Sequence, residues 1–238
     1  MNVITTDSTV GQLVVERPSR SRVFQKLGID FCCGGKKRLS EACREKGLDA
    51  GEVVRALIVE EAAPEQGDVD VAQMTPAQLC DHIEQTHHAF LHAELPRVGA
   101  MVKKVAAVHG VNHEWLVEFS SIFATFAADL EAHMLKEERV LFPWIRTLEK
   151  AGRCDKEHCG GSIANPIRMM ESEHDSAGHA LVQMRELSHD YKPPTGACNT
   201  FIAMLDGVER IEADLHQHVH KENNILFPKA MRHEQPLV

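Results

Sequence analysis

The chain has 238 residues, of which 43% are hydrophobic and 26% are charged, the composition of a folded globular protein. Its formal net charge of −9 argues against a nucleic-acid binder, because neutralising phosphates requires clustered Lys and Arg side chains. No apolar stretch approaches the roughly 20 residues that a membrane-spanning helix needs. The N-terminus lacks the basic and apolar regions of a signal peptide, so we expect a cytoplasmic protein whose seven cysteines stay largely reduced.

The N-terminal quarter of the chain is predicted to form a small helical domain over residues 1–62. Apolar residues recur there with helical spacing, and Gly28 ends the clearest run. The sequence Asp-Phe-Cys-Cys-Gly-Gly at 30–35 follows as an exposed turn. The polar segment 63–74 has no periodicity and is predicted to link this domain to a second one, residues 75–238.

The second domain is predicted to consist of four long helices. The first begins with Thr75 as N-cap, Pro76 at the first helical position and Gln78 completing a capping box. No strand-like alternation of useful length occurs in the sequence. Four antiparallel helices with short connections indicate an all-α, up-down four-helix bundle, which builds metal sites from inward-facing side chains. The predicted helices span residues 75–109, 113–150, 165–188 and 198–230.

Two segments of the bundle are near copies of each other. Residues 128–143 and 213–228 are identical at nine of sixteen positions. Each copy carries a His and a Glu four residues apart, which places both side chains on one face of a helix. An imidazole and a carboxylate arranged in this way bind one metal, or two metals if the carboxylate bridges them. The repeated pairs are His133 with Glu137 and His218 with Glu222.

Helical phase sorts the remaining histidines among the fifteen in the chain. His174 lies on the apolar face of the third helix and is predicted to point inward. His87 and His88 flank the apolar face of the first helix almost equally, so phase does not choose between them. His216 and His220 fall on the opposite side of the fourth helix from His218 and are predicted to be solvated.

The inward-facing residues indicate the kind of metal. Burying four imidazoles and two carboxylates around a bundle axis is costly unless they bind cations. The absence of thiolates disfavours a structural zinc site, and imidazole with bridging carboxylate suits two irons. Ferritin-like centres use four glutamates. A centre with only two glutamates would stabilise ferric iron less than a ferritin-like centre does. We therefore expect its iron to be reduced and released more easily.

A further pair of carboxylates precedes the repeated ligands. Asp129 and Asp214 lie four residues before His133 and His218, on the same helix face as the imidazole that follows. Each carboxylate is predicted to accept the second imidazole N–H and so orient the ring. An ordinary surface aspartate, copied with the repeat, is the alternative.

The cysteines suggest two further features. Cys32 and Cys33 are adjacent, which makes a disulfide between them improbable, and the basic run 36–38 is predicted to favour the thiolate form. Such a pair could transfer iron, reduce it or dock on a damaged cluster; two ordinary buried cysteines are the alternative. Cys154 and Cys159 form a second spaced pair, for which we predict only a flexible loop.

Five motifs, in this order along the chain, resemble those of the RIC family (repair of iron centres, the ScdA/YtfE type). The resemblance implies a short ScdA-type domain followed by a hemerythrin-like bundle with an oxo-bridged, non-haem di-iron centre. It also implies repair of iron–sulfur clusters damaged by nitric oxide or hydrogen peroxide, by donation of iron. The motifs are DFCCGG, THHAFLHAELP, HMLKEExxLFP, MESEHDSAG and HVHKENNILFP.

The resemblance also selects a ligand on the first helix. The family ligand lies eight residues before the proline of a Leu-Pro pair, which here places His88 before Pro96. The family often has Tyr where this chain has His87. The implied ligands of the two irons, with both glutamates bridging, are His88, His133, Glu137, His174, His218 and Glu222.

Three functions are compatible with such a centre. The first is iron-donating repair, with damaged iron–sulfur proteins as partners. The second is binding of nitric oxide or dioxygen as a sensor, scavenger or store, and the third is reduction of nitric oxide to nitrous oxide. The Cys-Cys domain favours repair, because a gas carrier needs no thiol module. Whether the chain acts as an enzyme, and whether it forms a homodimer, stays open.

Overall fold

The computed structural model describes residues 4–61, 70–151 and 162–234, and in these ranges the chain is all-α, with no strand. The predicted fold class is confirmed. No helix of the described ranges is long and apolar enough to cross a membrane. Cys154, Cys159 and most of the predicted linker lie outside the described residues.

The N-terminal domain is built from four short helices around its own apolar core. Gly28 ends the second of them in the left-handed region at φ 65°, as the sequence predicts. Phe24, Phe31 and Leu39 are buried at the centre of the domain. The helices are α1 (Val10–Glu16), α2 (Arg20–Leu27), α3 (Leu39–Glu45) and α4 (Ala50–Glu61), and a 3₁₀ turn occupies Cys33–Lys36.

Four long helices form the bundle. Helix α5 comprises Pro76–Ile83, Glu84–His88 and Ala89–His109; α6 comprises Trp115–Lys136, Glu137–Leu141 and Phe142–Ala151; α7 is Ala164–Leu187; α8 comprises Asn199–Lys221, Glu222–Leu226 and Phe227–Glu234. The capping box at Thr75 and Gln78 is present. Helix α5 packs against α6 and α8, and α6 also packs against α7.

Three of these helices contain a π-helical turn, the middle segment of α5, α6 and α8. A π turn inserts one extra residue and rotates the phase of everything that follows it. Val140, which a regular helix would place beside His133 and Glu137, is therefore exposed, and Leu141 and Phe142 are buried in its place. A constant helical phase therefore does not hold beyond the π turn.

The start of α7 differs from the prediction. The sequence predicts a helix over residues 165–188, whereas the structure has it over Ala164–Leu187, so Asn165 lies inside the first turn. The Glu234 carboxylate, at the end of α8, accepts hydrogen bonds from the Ile163 backbone N–H and the Ser162 hydroxyl, both at 2.6 Å. The two helix ends are therefore fixed to each other.

The last residues of the predicted linker pack on the bundle. Val71–Gln73 forms a 3₁₀ turn, and the Val71 side chain is buried in the bundle core. Lys229 donates a hydrogen bond to the Ala72 carbonyl at 2.7 Å and another to the Met74 carbonyl. This part of the segment belongs structurally to the second domain.

Candidate metal centre

Six buried side chains converge inside the bundle. They form two groups of four whose ligand atoms lie within 4.8 Å of one another, and both groups contain the same two glutamates. Both glutamate side chains have no exposed surface. The first group is His88, Glu137, His218 and Glu222; the second is His133, Glu137, His174 and Glu222. The structure thus brings together all six ligands that the sequence and the family resemblance indicate.

The π turns position these side chains. His88 is the last residue of the π turn in α5, whereas Glu137 and Glu222 are the first residues of the π turns in α6 and α8. His133 and His218 precede the glutamates by one helical turn. The remaining ligand, His174, comes from α7, which is α-helical throughout.

Each glutamate contacts one histidine of each group. Glu137 Oε2 lies 3.4 Å from the Nε2 atoms of both His88 and His133. Glu222 places Oε1 3.0 Å from His218 Nε2 and Oε2 3.2 Å from His174 Nε2. Each carboxylate therefore lies between a histidine of one group and a histidine of the other, where it could contribute to both groups.

The chemistry of this cluster fits cations. The Nε2 atoms of His88 and His218 lie 3.2 Å apart, and those of His133 and His174 lie 3.0 Å apart. Within the described ranges, both oxygens of Glu137 and Oε2 of Glu222 accept no hydrogen bond. Nitrogen lone pairs and anionic oxygens packed so closely in a dry interior repel one another unless positive charge lies between them.

The pKa values of Glu222 and His133 show the same demand for positive charge. Burial opposes ionisation of Glu222, but His218 and His174 outweigh it and hold its pKa well below the usual range. Burial also opposes protonation of His133, yet Glu137, Glu222 and Glu173 raise its pKa to about 9. Protons compensate the carboxylates here, and divalent cations would displace those protons on binding.

Neighbouring helices fix three of the four imidazole rings through their Nδ1 atoms. With Nδ1–H donated outward, Nε2 keeps its lone pair for a metal. The His218 Nδ1 atom has no partner among the described residues, and its ring stacks parallel to His87 at 5.4 Å. The other pairs are His88 with Glu138 at 2.8 Å, His133 with Glu173 at 2.9 Å and His174 with Asn223 at 2.9 Å.

The predicted roles of Asp129 and Asp214 are wrong. With Nε2 pointing at the centre, Nδ1 of His133 faces α7, so its partner is Glu173 and Asp129 is left exposed. Asp214 does accept from an imidazole, but from His87 Nδ1 at 2.9 Å. No sequence spacing within one helix could reveal partners that come from another helix.

The N-terminal domain covers a face of α8 that was predicted to be solvated. His220 is buried, with Nδ1 3.3 Å from the Phe31 carbonyl oxygen, and burial lowers its pKa to about 4. The Phe31 ring also packs edge-on against His216, which is half-buried. The prediction of solvated histidines is therefore wrong, because the domain that buries them is distant in sequence.

A cavity of about 520 Å³ lies between α6 and α7 and reaches the two histidines of the second group. His133 and His174 form its inner wall, and Asp129, Lys136 and Glu173 lie along it. A small molecule can approach the metal-binding side chains by this route.

The Cys-Cys turn is less exposed than predicted, and the Cys32 thiol is not activated. Cys32 is buried, Cys33 is half-buried, and neither forms a disulfide. The cationic side chains that follow pair elsewhere: Lys36 with Glu171, Lys37 with Glu45 and Arg38 with Asp7. The Cys33 thiol, burial and Asp30 raise the pKa of Cys32 well above its usual value. The prediction of a favoured thiolate is wrong for Cys32.

Comparison with known proteins agrees with the two-part architecture. Residues 6–63 match ScdA_N, described as a domain of unknown function, and residues 81–230 match the hemerythrin HHE cation binding domain. The chain is 35% identical over 229 residues to iron-sulfur cluster repair protein YtfE of Pectobacterium carotovorum, covering 96% of this chain and 98% of the relative. It is 31% identical over 227 residues to iron-sulfur cluster repair protein ScdA of Staphylococcus haemolyticus, covering 95% and 99%. The chain therefore belongs to the ScdA/YtfE family of iron–sulfur cluster repair proteins, in which an ScdA_N domain precedes a hemerythrin-like cation-binding domain.

Proposed function

We propose that this protein repairs iron–sulfur clusters damaged by nitrosative or oxidative stress, and that it does so by donating iron from a two-iron centre. The observation that carries the proposal is the sharing of Glu137 and Glu222 by both histidine groups. Two relatives that align along almost their whole length are named iron-sulfur cluster repair proteins, which supports the same function.

The ligand set supports iron as cargo that can be released. Four neutral imidazoles and two carboxylates offset only two of the four positive charges on a diferrous pair. Such a site stabilises ferric iron less than a carboxylate-rich site does. It also competes poorly for ferrous ions against thiolate or sulfide acceptors. His88, His133, Glu137, His174, His218 and Glu222 would hold the ions.

The test follows labelled iron into a damaged enzyme. We expect protein loaded with an iron isotope to restore activity to a nitric-oxide-treated iron–sulfur enzyme, with labelled iron gained by the enzyme in proportion. The same protein loaded with zinc is the control and should restore nothing. Recovery without labelled iron in the enzyme would exclude donation, and labelled iron transfer without recovery would exclude repair.

The cavity beside His133 and His174 favours a second candidate function, the binding of nitric oxide or dioxygen, with reduction of nitric oxide to nitrous oxide as its catalytic form. Ser176 lies on the cavity wall, whereas His179, on the same helix, does not line the cavity. Under this candidate, Ser176→Trp slows nitric oxide binding and nitrous oxide production, and His179→Trp does not. Equal rates in both variants would rule out this route.

A further inference from the structure

A second cluster of potential metal ligands lies outside the bundle, in the turn of the N-terminal domain. A carboxylate oxygen of Asp30 and the sulfurs of Cys32 and Cys33 all lie within 4.8 Å of one another. The two sulfurs are 4.0 Å apart, and Cys32 Sγ is 3.2 Å from Asp30 Oδ1. These distances allow one ion to contact all three side chains.

The backbone of the turn holds the Asp30 carboxylate in place. Its Oδ1 accepts a hydrogen bond from the Cys32 backbone N–H at 3.0 Å, and its Oδ2 accepts one from the Gly34 backbone N–H at 2.9 Å. A carboxylate oxygen offers about two lone pairs, so Oδ2 keeps one for a cation. Oδ1, which also accepts from the Cys32 thiol, regains one when that thiol loses its proton. Little rearrangement is then required for binding.

We propose that Asp30, Cys32 and Cys33 form a second cation site, for a thiophilic divalent transition metal such as Fe²⁺. Two thiolates favour such a metal over Mg²⁺ or Ca²⁺, which prefer oxygen ligands. Binding forms two metal–sulfur bonds and releases one proton from each thiol to solvent. Three protein ligands leave a coordination position open, and the half-buried Cys33 places that position near the surface.

The turn is fixed to the helix that carries a ligand of the bundle centre. Asn224 Nδ2 donates hydrogen bonds to the Phe31 carbonyl at 3.3 Å and the Cys32 carbonyl at 3.1 Å. Asn224 belongs to the π turn that begins at Glu222. One five-residue element therefore supports both sites. An exchangeable iron site here would serve donation, so its role, though not its existence, rests on the proposed function.

Cobalt(II) distinguishes the two sites by their spectra. Thiolate ligands give Co²⁺ intense near-ultraviolet charge-transfer absorption, which the nitrogen and oxygen ligands of the bundle cannot produce. Titration of the reduced, metal-free full chain under anaerobic conditions is expected to produce this absorption. Cys33→Ser, which changes a half-buried side chain, should remove most of it, and Asp30→Asn should weaken binding at least tenfold.

A matched control removes two thiols elsewhere. The double variant C154S/C159S should retain the absorption with unchanged affinity. Absence of thiolate absorption in the unaltered chain, or its full retention in Cys33→Ser, would overturn the site. The readout does not depend on repair: a failed repair assay with intact cobalt absorption refutes the proposed function alone. Normal repair by Cys33→Ser would overturn the assignment of the site to iron donation.

Discussion

At the scale of single residues, the two copies of the repeat supply equivalent candidate ligands, His133 and His218, whose rings have different hydrogen-bond partners. The Nδ1 atom of His133 is held by Glu173, whereas that of His218 has no partner in the described ranges. Identity between the copies correctly predicts that His133, Glu137, His218 and Glu222 converge on one buried cluster. It fails for the supporting groups, because those come from different neighbouring helices.

The first prediction concerns the carboxylate that orients the His133 ring. The structure shows Glu173 in this position, whereas the sequence predicts Asp129. Glu173→Gln weakens the hydrogen bond that orients this ring, and we expect metal affinity to fall by about 10- to 100-fold. Asp129→Asn changes an exposed side chain and should leave affinity unchanged. Equilibrium competition with a chromophoric chelator measures both. A larger loss in Asp129→Asn would contradict the contacts described.

The second prediction concerns acid sensitivity at His220. Burial, reinforced by the positive charge of Lys221, lowers the pKa of this residue from 6.5 to about 4. The unfolded chain therefore takes up a proton near pH 6.5 and the folded chain only near pH 4. Stability present above pH 6.5 is lost as the pH falls through this window, by about 1.4 kcal/mol per pH unit.

Melting temperatures of the unaltered chain and of His220→Gln test this effect across the window. The variant cannot titrate at this position, so its melting temperature should decline less steeply below pH 6.5. Comparison with the unaltered chain cancels the titration of the metal ligands, which both proteins share. Parallel declines would show that His220 makes no such contribution.

At the scale of elements, the π turns mark the limit of what periodicity predicts. A constant 100° per residue locates His133, Glu137, His218 and Glu222 correctly, because they precede or begin the π turns. Beyond that point the phase is shifted, and Val140 is placed on the wrong face. On α5, His87 and His88 are the last two residues of a π turn. The shift of helical phase at this turn explains why a constant phase could not choose between them.

The third prediction tests how closely the Cys-Cys turn is packed on α8. A Cβ atom added at Gly35 would lie 2.4 Å from Asn224 Oδ1. Gly35→Ala must displace Asn224 from the Phe31 and Cys32 carbonyls, at a cost of about 1–3 kcal/mol.

A double-mutant cycle isolates this contact. In an Asn224→Ala background the obstructing amide is absent, so Gly35→Ala should cost much less there than in the unaltered chain. Chemical denaturation gives the free energy of unfolding of all four proteins. Strictly additive costs would mean that Gly35 and Asn224 do not oppose each other.

At the scale of the whole molecule, the sequence predicts two helical parts but not how they fit together. Amphipathic spacing reports which face of a helix is apolar, and on that basis the sequence predicts that the polar face of α8 is solvated. The N-terminal domain covers that face through Phe31 and the Cys-Cys turn, contacts that join residues nearly 190 positions apart. Such contacts depend on tertiary packing that no local pattern encodes.

The central claim is that Glu137 and Glu222 bridge two irons in one buried centre. Anaerobic ferrous titration, followed by removal of loose iron and metal analysis, tests it most directly. We predict two irons per chain for the unaltered protein and for the exposed α6 control Glu131→Gln. Glu137→Gln and Glu222→Gln should each lose tight binding of both ions, because each carboxylate serves both. One iron per chain in the unaltered protein, or two retained in either bridge variant, would contradict the account.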